Sequence, residues 1–458
     1  MPANYVLLQR IELNASAASV TFSNIPQSGY TDLKVVGSAR TDRSGTYEDA
    51  IRVQFNASGG TAYSTRRLYG NGATVSSNSD SSAAYSTFYS SSDAANTANT
   101  FGNFEIYVPN YSSTTANKSI SVDMVSENNA TSAIAGLGAG LWASTAAINQ
   151  VTLTPNSGTV FLQYSTFSLY GLAATGTTPV IAPKATGGNI TSDGTYWIHT
   201  FNSTGTFTPL QGLSCDALVV AGGGGGGSAD GVNDAAAGGG GAGGFRTTTG
   251  LSVSAQAYTI TVGAGGAGSP VRTSAGTSGG NSQFSTISST GGGGGGSGGS
   301  SNGVAGGSGG GSRGYSGTGG SGNAGSYSPV EGYAGGTATT TKDSGSGGGG
   351  AGAVGNQAST NTFGGTGGAG ATSSISGTSV TYAGGGGGGS YNTNNTASGG
   401  SGGGGTGGGG SNPGGTNPTA GTTNLGGGGG GGYANANYAG SDGANGGSGI
   451  VIIRYLVA

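Results

Sequence analysis

The sequence is poor in cysteine, histidine and charged residues. It has one cysteine, Cys215, and one histidine, His199, among 458 residues; only 7% of the chain is charged, with a net charge of −3. A single cysteine excludes an intrachain disulfide framework. Its neighbours Leu213 and Leu218 favour a small buried hydrophobic side chain over a reactive thiol. Because no basic run is present to neutralise phosphates, nucleic acid is not expected as a partner.

Long apolar stretches are absent as well. No run approaches the roughly 20 apolar residues that span a bilayer, so membrane insertion is not expected. The first residues, Met1 to Asn4, have neither the basic nor the apolar region of a secretory signal. We therefore expect synthesis in a cytoplasm, and release, if any, by assembly or lysis.

Patterns typical of catalysis and metal binding are also missing. His199 alternates with Trp197 and Phe201 in a predicted strand, and a general base needs a placed partner that these neighbours do not supply. Asp230 and Asp234 are the closest acidic pair in the glycine-rich half, but no third carboxylate accompanies them, so no calcium loop is predicted. No Gly-Lys-Ser/Thr motif supports a nucleotide site. We expect no enzyme activity, no metal and no cofactor, although the paired carboxylates of a depolymerase can be distant in sequence.

Glycine is abundant and unevenly distributed. Of the 107 glycines, 88 follow residue 221, so the second half of the chain cannot build an ordinary hydrophobic core. Uninterrupted runs cover residues 222–227, 291–296, 384–389 and 426–432. Glycine-rich tails are typical of flexible linkers. Here short apolar pieces such as residues 258–262 separate repeated blocks, and strand-like segments bracket the region, which favours an ordered structure.

A run without side chains can form a left-handed helix of the polyproline II type, with three residues per turn and no internal hydrogen bonds. Its amide and carbonyl groups then need partners inside the protein. Parallel and antiparallel copies packed side by side supply those partners, provided that nothing larger than hydrogen projects between neighbours. Glycine meets this condition, although it loses the most backbone entropy on folding. We predict a packed array of polyglycine II helices clamped by short β-strands.

Residues 1–172 are predicted to form an all-β domain, a jelly-roll-like β-sandwich, because short alternating segments bounded by turn residues recur over this length. The Ser/Asn-rich stretch 71–99 is predicted to be a long surface loop. Residues 173–188 are predicted to be a proline-stiffened linker to a glycine-rich domain over 189–458. The predicted strands of the first domain are 5–13, 19–22, 32–39, 50–55, 104–108, 119–125, 133–142, 148–153 and 160–170.

Segments at the two borders of the glycine-rich region are predicted to pair. Residues 217–220 lead into the first glycine run, and residues 449–455 follow the last one. Each segment alone is too short to bury a face. We therefore predict that they form one sheet together with the strand-like segments 196–201 and 204–208.

The glycine-rich half resembles the glycine-rich domain of phage tail-fibre and adhesin proteins, from about residue 189 to 458. The resemblance is carried by Leu-Val-Val-Ala at 218–221 before six glycines and by Ile-Val-Ile-Ile-Arg-Tyr at 450–455. The opening motif is also similar to a module of some animal receptor kinases, whose signal, disulfides and membrane segment this sequence lacks. The first domain resembles a β-sandwich module of virion structural proteins, through pieces such as residues 107–111.

The resemblance implies a non-enzymatic virion protein whose polyglycine helices form a rigid core and whose loops touch the bacterial surface. It implies other tail or capsid proteins, a host cell-surface glycan or outer-membrane protein, and a homotrimer as partners. One alternative is a head-decoration or fibre protein without a receptor. Another is an ice-binding or surface-matrix protein, which the irregular spacing disfavours.

Aromatic side chains in the segments that interrupt the glycine runs are the candidates for receptor contact. Tyrosine combines a large contact area with a small loss of entropy, although individual rings can instead seal the helix block. Residues 313–315 and 390–395 each place an aromatic side chain beside hydrogen-bonding groups. The candidate receptor-binding residues are Arg313, Tyr315, Tyr327, Tyr333, Phe363, Tyr391 and Asn392.

Overall fold

The computed structural model describes eleven stretches of the chain. All the regular secondary structure in these stretches is β-strand, as predicted. No helix in these stretches is long and apolar enough to cross a membrane. Residues 174–181 of the predicted linker and the pair Asp230 and Asp234 lie outside the described residues. The described stretches are 5–45, 48–127, 133–173, 182–229, 235–270, 274–315, 317–339, 343–358, 360–411, 415–435 and 440–457.

The chain folds as two compact units, residues 1–199 with 455–458 and residues 200–454. The strands of the first unit are β1 (Tyr5–Glu12), β2 (Val20–Phe22), β3 (Tyr30–Ala39), β4 (Glu48–Phe55), β5 (Tyr63–Gly70), β6 (Val75–Ala83), β7 (Ser86–Ser92), β8 (Gly102–Val108), β9 (Lys118–Ser126), β10 (Ile134–Trp142), β11 (Val151–Pro155), β12 (Thr166–Ala173), β13 (Ala185–Thr186), β14 (Asn189–Ser192) and β15 (Tyr196–Phe201).

Two sheets of antiparallel strands enclose the core of the first unit. Within the first unit, the strands of the larger sheet follow the order β15-β14-β1-β12-β3-β8-β9-β10-β5-β6, and the smaller sheet has the order β2-β11-β4-β7. Along β9 the side chains at 120, 122 and 124 are buried and those between them are exposed, as a sheet with one covered face requires. Trp142 of β10 stacks on Tyr63 and meets Phe55 of β4 edge-on, so rings from both sheets meet in the core.

The prediction of a long surface loop over residues 71–99 is wrong. Most of this stretch forms β6, which pairs with β5, and β7, which pairs with β4. Serine and asparagine have little preference for strands. Pairing with β4 and β5 outweighs that local preference here, and the alternating exposure along β6 matches a sheet with one solvent-facing side.

The strands of the second unit form four small groups of hydrogen-bonded neighbours, and the glycine runs lie between them in the chain. The strands are β16 (Gly205–Pro209), β17 (Leu213–Val220), β18 (Phe245–Val253), β19 (Tyr258–Thr261), β20 (Ser282–Phe284), β21 (Ile287–Ser289), β22 (Ala371–Ser373), β23 (Val380–Tyr382), β24 (Gly409–Gly410), β25 (Gly415–Thr416) and β26 (Ile450–Leu456).

Strand β17 lies between β18 and β26 and is antiparallel to both. The predicted pairing of the two borders of the glycine-rich region is therefore confirmed, with Val220 opposite Ile450. The prediction that segment 204–208 joins the same sheet is wrong, because it forms β16 and pairs with β19. Phe207 of β16 meets Phe284 of β20 edge-on at 5.7 Å, and this contact helps to hold β16 in a sheet whose strands within the second unit follow the order β16-β19-β20-β21.

The amide groups of the glycine runs donate hydrogen bonds to neighbouring segments and not within the run. The partner segment changes from one residue to the next and recurs at every third residue. In the run 222–227, each amide donates to one of three neighbouring segments at 2.8–3.0 Å, and every third amide returns to the same segment. The donor and acceptor pairs are Gly222 to Gly280 and Gly225 to Thr277, Gly223 to Gly447 and Gly226 to Ala444, and Gly224 to Gly241 and Gly227 to Gly238.

The carbonyl groups of the same run accept in the same rotation from three further segments. Run 222–227 is therefore surrounded by six neighbours, three that it donates to and three that it accepts from. The bonds received are Gly292 to Gly222 and Gly295 to Gly225, Gly266 to Gly223 and Ser269 to Gly226, and Gly429 to Gly224 and Gly432 to Gly227.

Close approach of the backbones explains the need for glycine in this run. A Cβ added at any of residues 222–227 would lie 2.0–2.2 Å from a carbonyl oxygen of a neighbouring segment. No side chain can occupy such a position without pushing the segments apart. The glycine content is thus a requirement of the hydrogen-bonded packing.

Candidate functional site

The register of the hydrogen bonds defines two ends of the glycine block. Ala221, at the end of β17, donates to Gly244, whereas Gly227 donates to Gly238, so the runs 222–227 and 238–244 are antiparallel. We call the end with Ala221 and Gly244, where β17 and β18 join the block, the strand end. The end with Gly227 and Gly238 is the distal end.

Five of the seven candidate residues belong to loops at the distal end. Gly238 donates to Gly296 and Gly296 donates to Gly311, which places the segment leading to residue 313 there. Gly389 donates to Ala237, which places the following loop at the same end. The distal candidates are Arg313, Tyr315, Phe363, Tyr391 and Asn392.

These five side chains differ in accessibility. Tyr315 is 50% exposed and Asn392 is exposed, and both have positive φ angles, 71° and 49°, as residues at sharp turns do. Arg313 is only 7% exposed, and Phe363 is half-buried. Tyr391 packs against a small cluster of buried alanines. The distal end thus presents Tyr315 and Asn392 to solvent and holds the other three closer to the block.

Tyr327 and Tyr333 lie at the strand end, away from the other five candidates. Phe245, the first residue of β18, donates its amide to the carbonyl of Glu331, which places the 323–333 segment there. The guanidinium carbon of Arg246 lies 3.9 Å from the centroid of the Tyr327 ring, so this ring takes part in an internal cation–π contact. Tyr333 is 39% exposed. The seven candidates therefore do not form one site.

Glu331 is a buried carboxylate at the strand end that the sequence analysis did not single out. It is fully buried; its Oε2 accepts from the Thr290 amide at 2.8 Å and from the Ser289 hydroxyl at 3.4 Å, and its Oε1 accepts from the Gly325 amide at 3.3 Å. The carboxylate thus ties the 323–331 loop to the glycine block. Its one sequence signal is that it is the sole glutamate after residue 127.

The titratable groups of the described residues form no metal centre, since no three histidine, cysteine, aspartate or glutamate side chains cluster there. His199 is fully buried in the first unit, with Nδ1 2.8 Å from the carbonyl oxygen of Gly187 and Nε2 2.9 Å from the hydroxyl of Tyr455. Burial lowers the pKa of His199 to about 4, so the ring is neutral at pH 7. Cys215 is buried as predicted, and burial raises the pKa of its thiol to about 12. His199 and Cys215 are therefore both enclosed in the manner of structural core residues.

The fold and the loops together define an all-β protein whose second unit is a hydrogen-bonded block of glycine runs with loops at both ends. The family model of the glycine-rich domain matches residues 200–456, more than half of the chain. The chain belongs to this glycine-rich domain family. No curated protein matches the chain.

Proposed function

We propose that the protein is a non-enzymatic structural component of a phage virion, a tail-fibre or tail-tip adhesin that presents receptor-binding loops to the host cell surface. One observation carries the proposal: Tyr315 and Asn392 are exposed on loops at one end of a block that fixes the backbone on both sides of each loop. An exposed tyrosine beside amide groups suits contact with a glycan or a protein receptor.

We infer that the glycine runs are polyglycine II helices. The rotation of the hydrogen bonds every three residues supports this, because such a helix has three residues per turn and makes all its bonds to neighbours. Six residues then extend about 19 Å at roughly 3.1 Å per residue. A packed array of this kind holds its loops in place before binding, which reduces the entropy lost when a receptor is bound.

We assign the first unit to the jelly-roll-like sandwiches and propose that it attaches the protein to other tail or capsid proteins, after synthesis in the host cytoplasm.

Three exposed apolar side chains on the larger sheet, Leu68, Val75 and Leu137, support a contact between copies. Leu68 lies directly opposite Leu137, and their exposed fractions are 51% and 58%. We propose a homotrimer, and light scattering behind a sizing column tests it: a mass near the 43.1 kDa of one chain contradicts it.

Binding of the purified full chain to intact bacterial cells tests the receptor role. A double variant, Tyr315→Ala with Asn392→Ala, removes the exposed distal side chains, and we expect it to bind cells at least tenfold more weakly. Tyr333→Ala is the matched control, because it removes an exposed tyrosine from the strand end. Equal binding by the wild type, the distal variant and the control contradicts the proposed role of the distal loops.

A purely structural role, in head decoration or in a fibre shaft, is the second candidate. It is favoured by the packing of Tyr391 against the alanine cluster and by the burial of Arg313, which withdraw two distal side chains from solvent. Electron microscopy of particles labelled with an antibody to this chain separates the two. Label at the tail tip supports the adhesin, and label on the capsid or along the shaft supports the structural role.

A further inference from the structure

The first unit contains a cleft at the open edge of the sandwich that the proposed function does not use. It lies where the end of β6 and the turn to β7 meet the smaller sheet, and its volume is about 630 Å³. Small-molecule sites in proteins range over about 300–1,000 Å³. The side chains of interest in its lining are Arg67, Ser79, Asp80, Tyr85, Tyr89 and Asn156.

Two tyrosine rings in the lining are held in place by arginines. The guanidinium of Arg52 lies 4.4 Å from the centroid of the Tyr85 ring, and that of Arg67 lies 5.2 Å from the Tyr89 ring. Tyr89 also contacts the ring of Tyr69, with centroids 5.0 Å apart. Both cleft rings are half-buried, so each keeps part of its surface accessible. The cleft thus offers preorganised aromatic surfaces.

Polar groups beside these rings are oriented as well. The side chain of Arg67 is 6% exposed and donates to the Asp80 carboxylate at 2.6 Å and to the Asn78 side-chain oxygen at 2.7 Å. Asn156 accepts from the Nε of Arg52 at 3.0 Å through its side-chain oxygen. Hydrogen-bond donors and acceptors with fixed orientations therefore lie beside the two rings.

The charge in the lining is balanced. Among the lining residues Arg67 is the one cation and Asp80 the one anion, and they form an ion pair with each other. Arg52, which lies against Tyr85 and bonds Asn156, is not part of the lining, and a phosphate group in the cleft would meet the Asp80 carboxylate. An uncharged ligand rich in hydroxyl groups fits better, because hydroxyls pair with carboxylate, amide and serine groups while C–H faces pack on tyrosine rings.

We propose that this cleft is a saccharide-binding site of the first unit, with Tyr85 and Tyr89 as the stacking rings and Asp80, Asn156 and Ser79 as the groups that bond sugar hydroxyls. The site is separate from the distal loops and does not require them. A chain with both sites would hold a glycan-coated surface at two points, which raises the overall avidity when the spacing of the sites allows it.

Ligand-observed NMR on the full chain tests the proposal. The probe is a set of methyl glycosides of glucose, galactose, mannose, rhamnose and N-acetylglucosamine, and we expect saturation transfer to at least one of them. Tyr85→Ala removes a stacking ring and is expected to weaken binding by about tenfold, or about 1.4 kcal/mol. Tyr164→Ala is the matched control, since Tyr164 is 64% exposed and does not line the cleft.

A second variant covers the case in which Tyr85→Ala disturbs the fold. Ala84→Trp fills the cleft and leaves both tyrosines and both arginines in place, and it is expected to abolish saturation transfer. The distal double variant is expected to bind the sugar as the wild type does, so a failure of the proposed receptor loops is distinguishable from a failure of this site. No saturation transfer to any glycoside, or transfer that survives both cleft variants, overturns the proposal.

Discussion

Replacing Gly224 by alanine tests whether close backbone packing holds the glycine block together. Gly224 belongs to the run with six hydrogen-bonded neighbours. An added Cβ would lie 2.2 Å from the carbonyl oxygen of Gly293, whereas ordinary contact begins near 3.4 Å. The two segments must therefore separate by more than 1 Å to admit the methyl group.

The magnitude follows from the bonds that join these two segments. Gly292 donates to Gly222 and Gly295 donates to Gly225, each at 2.9 Å. A separation of this size breaks both bonds and leaves buried groups unpaired, at about 1–3 kcal/mol for each bond. The smaller entropy of alanine in the unfolded chain offsets about 0.4–1 kcal/mol. We expect the free energy of unfolding of the second unit to fall by about 3 kcal/mol.

Calorimetric and denaturant unfolding of the full chain measure this loss, and amide exchange in residues 222–227 reports whether it is local. Gly212→Ala is the matched control in the same unit, because the nearest atom to its added Cβ is a carbonyl oxygen 3.9 Å away. We expect this control to stay within about 0.5 kcal/mol of the wild type. If the two variants unfold within about 1 kcal/mol of each other, backbone packing does not hold the block.

Three further predictions concern buried titratable groups. His199 is expected to make the first unit about 2 kcal/mol less stable at pH 5 than at pH 7.5, because the unfolded imidazole, with a pKa near 6.5, takes up a proton that the folded ring, with a pKa of about 4, does not. Urea titrations of His199→Gln should lack this part of the pH dependence, and an unchanged dependence contradicts the assignment. Cys215 is expected to resist a thiol reagent at pH 8 until the chain is unfolded, since its thiol pKa is raised to about 12; rapid modification of the native protein would count against its burial. Glu331→Gln is expected to destabilise the second unit by about 2 kcal/mol in thermal unfolding, because the new amide group turns a donor toward the Thr290 or Gly325 amide, and a loss under about 0.5 kcal/mol refutes this.

Much of the fold could be predicted because several strands of both units have clear apolar patterns. The alternation in β9 and the apolar segments at β17 and β26 are strong signals, and the antiparallel pairing of β17 with β26 is confirmed. Strand β6 was missed, since its serine, asparagine and aspartate side chains carry little strand preference and its pairing with β5 decides the outcome. Strand β7 was missed because its strand-forming residues Thr87, Phe88 and Tyr89 are few and serines lie on both sides of them. The cleft beside the two strands was missed as a consequence.

The site could be predicted only in part, because glycine runs carry no information about their neighbours. Nothing in the composition of run 222–227 tells which six segments surround it, so the end of the block at which a loop emerges cannot be deduced from sequence. Tyr315 lies at the distal end and Tyr327 at the strand end, and the sequence does not distinguish the two positions. The cation–π contact of Tyr327 with Arg246 likewise joins residues that are far apart in the chain.

The three-residue rotation of the amides also limits how this protein can vary in length. A single residue inserted into run 222–227 would turn the amide of every later residue in the run toward the wrong neighbouring segment. Insertions of three residues restore the rotation, and insertions in the loops leave it untouched. Variation between related proteins is therefore expected to collect at the loops, where it changes what the surface can recognise while the block stays the same.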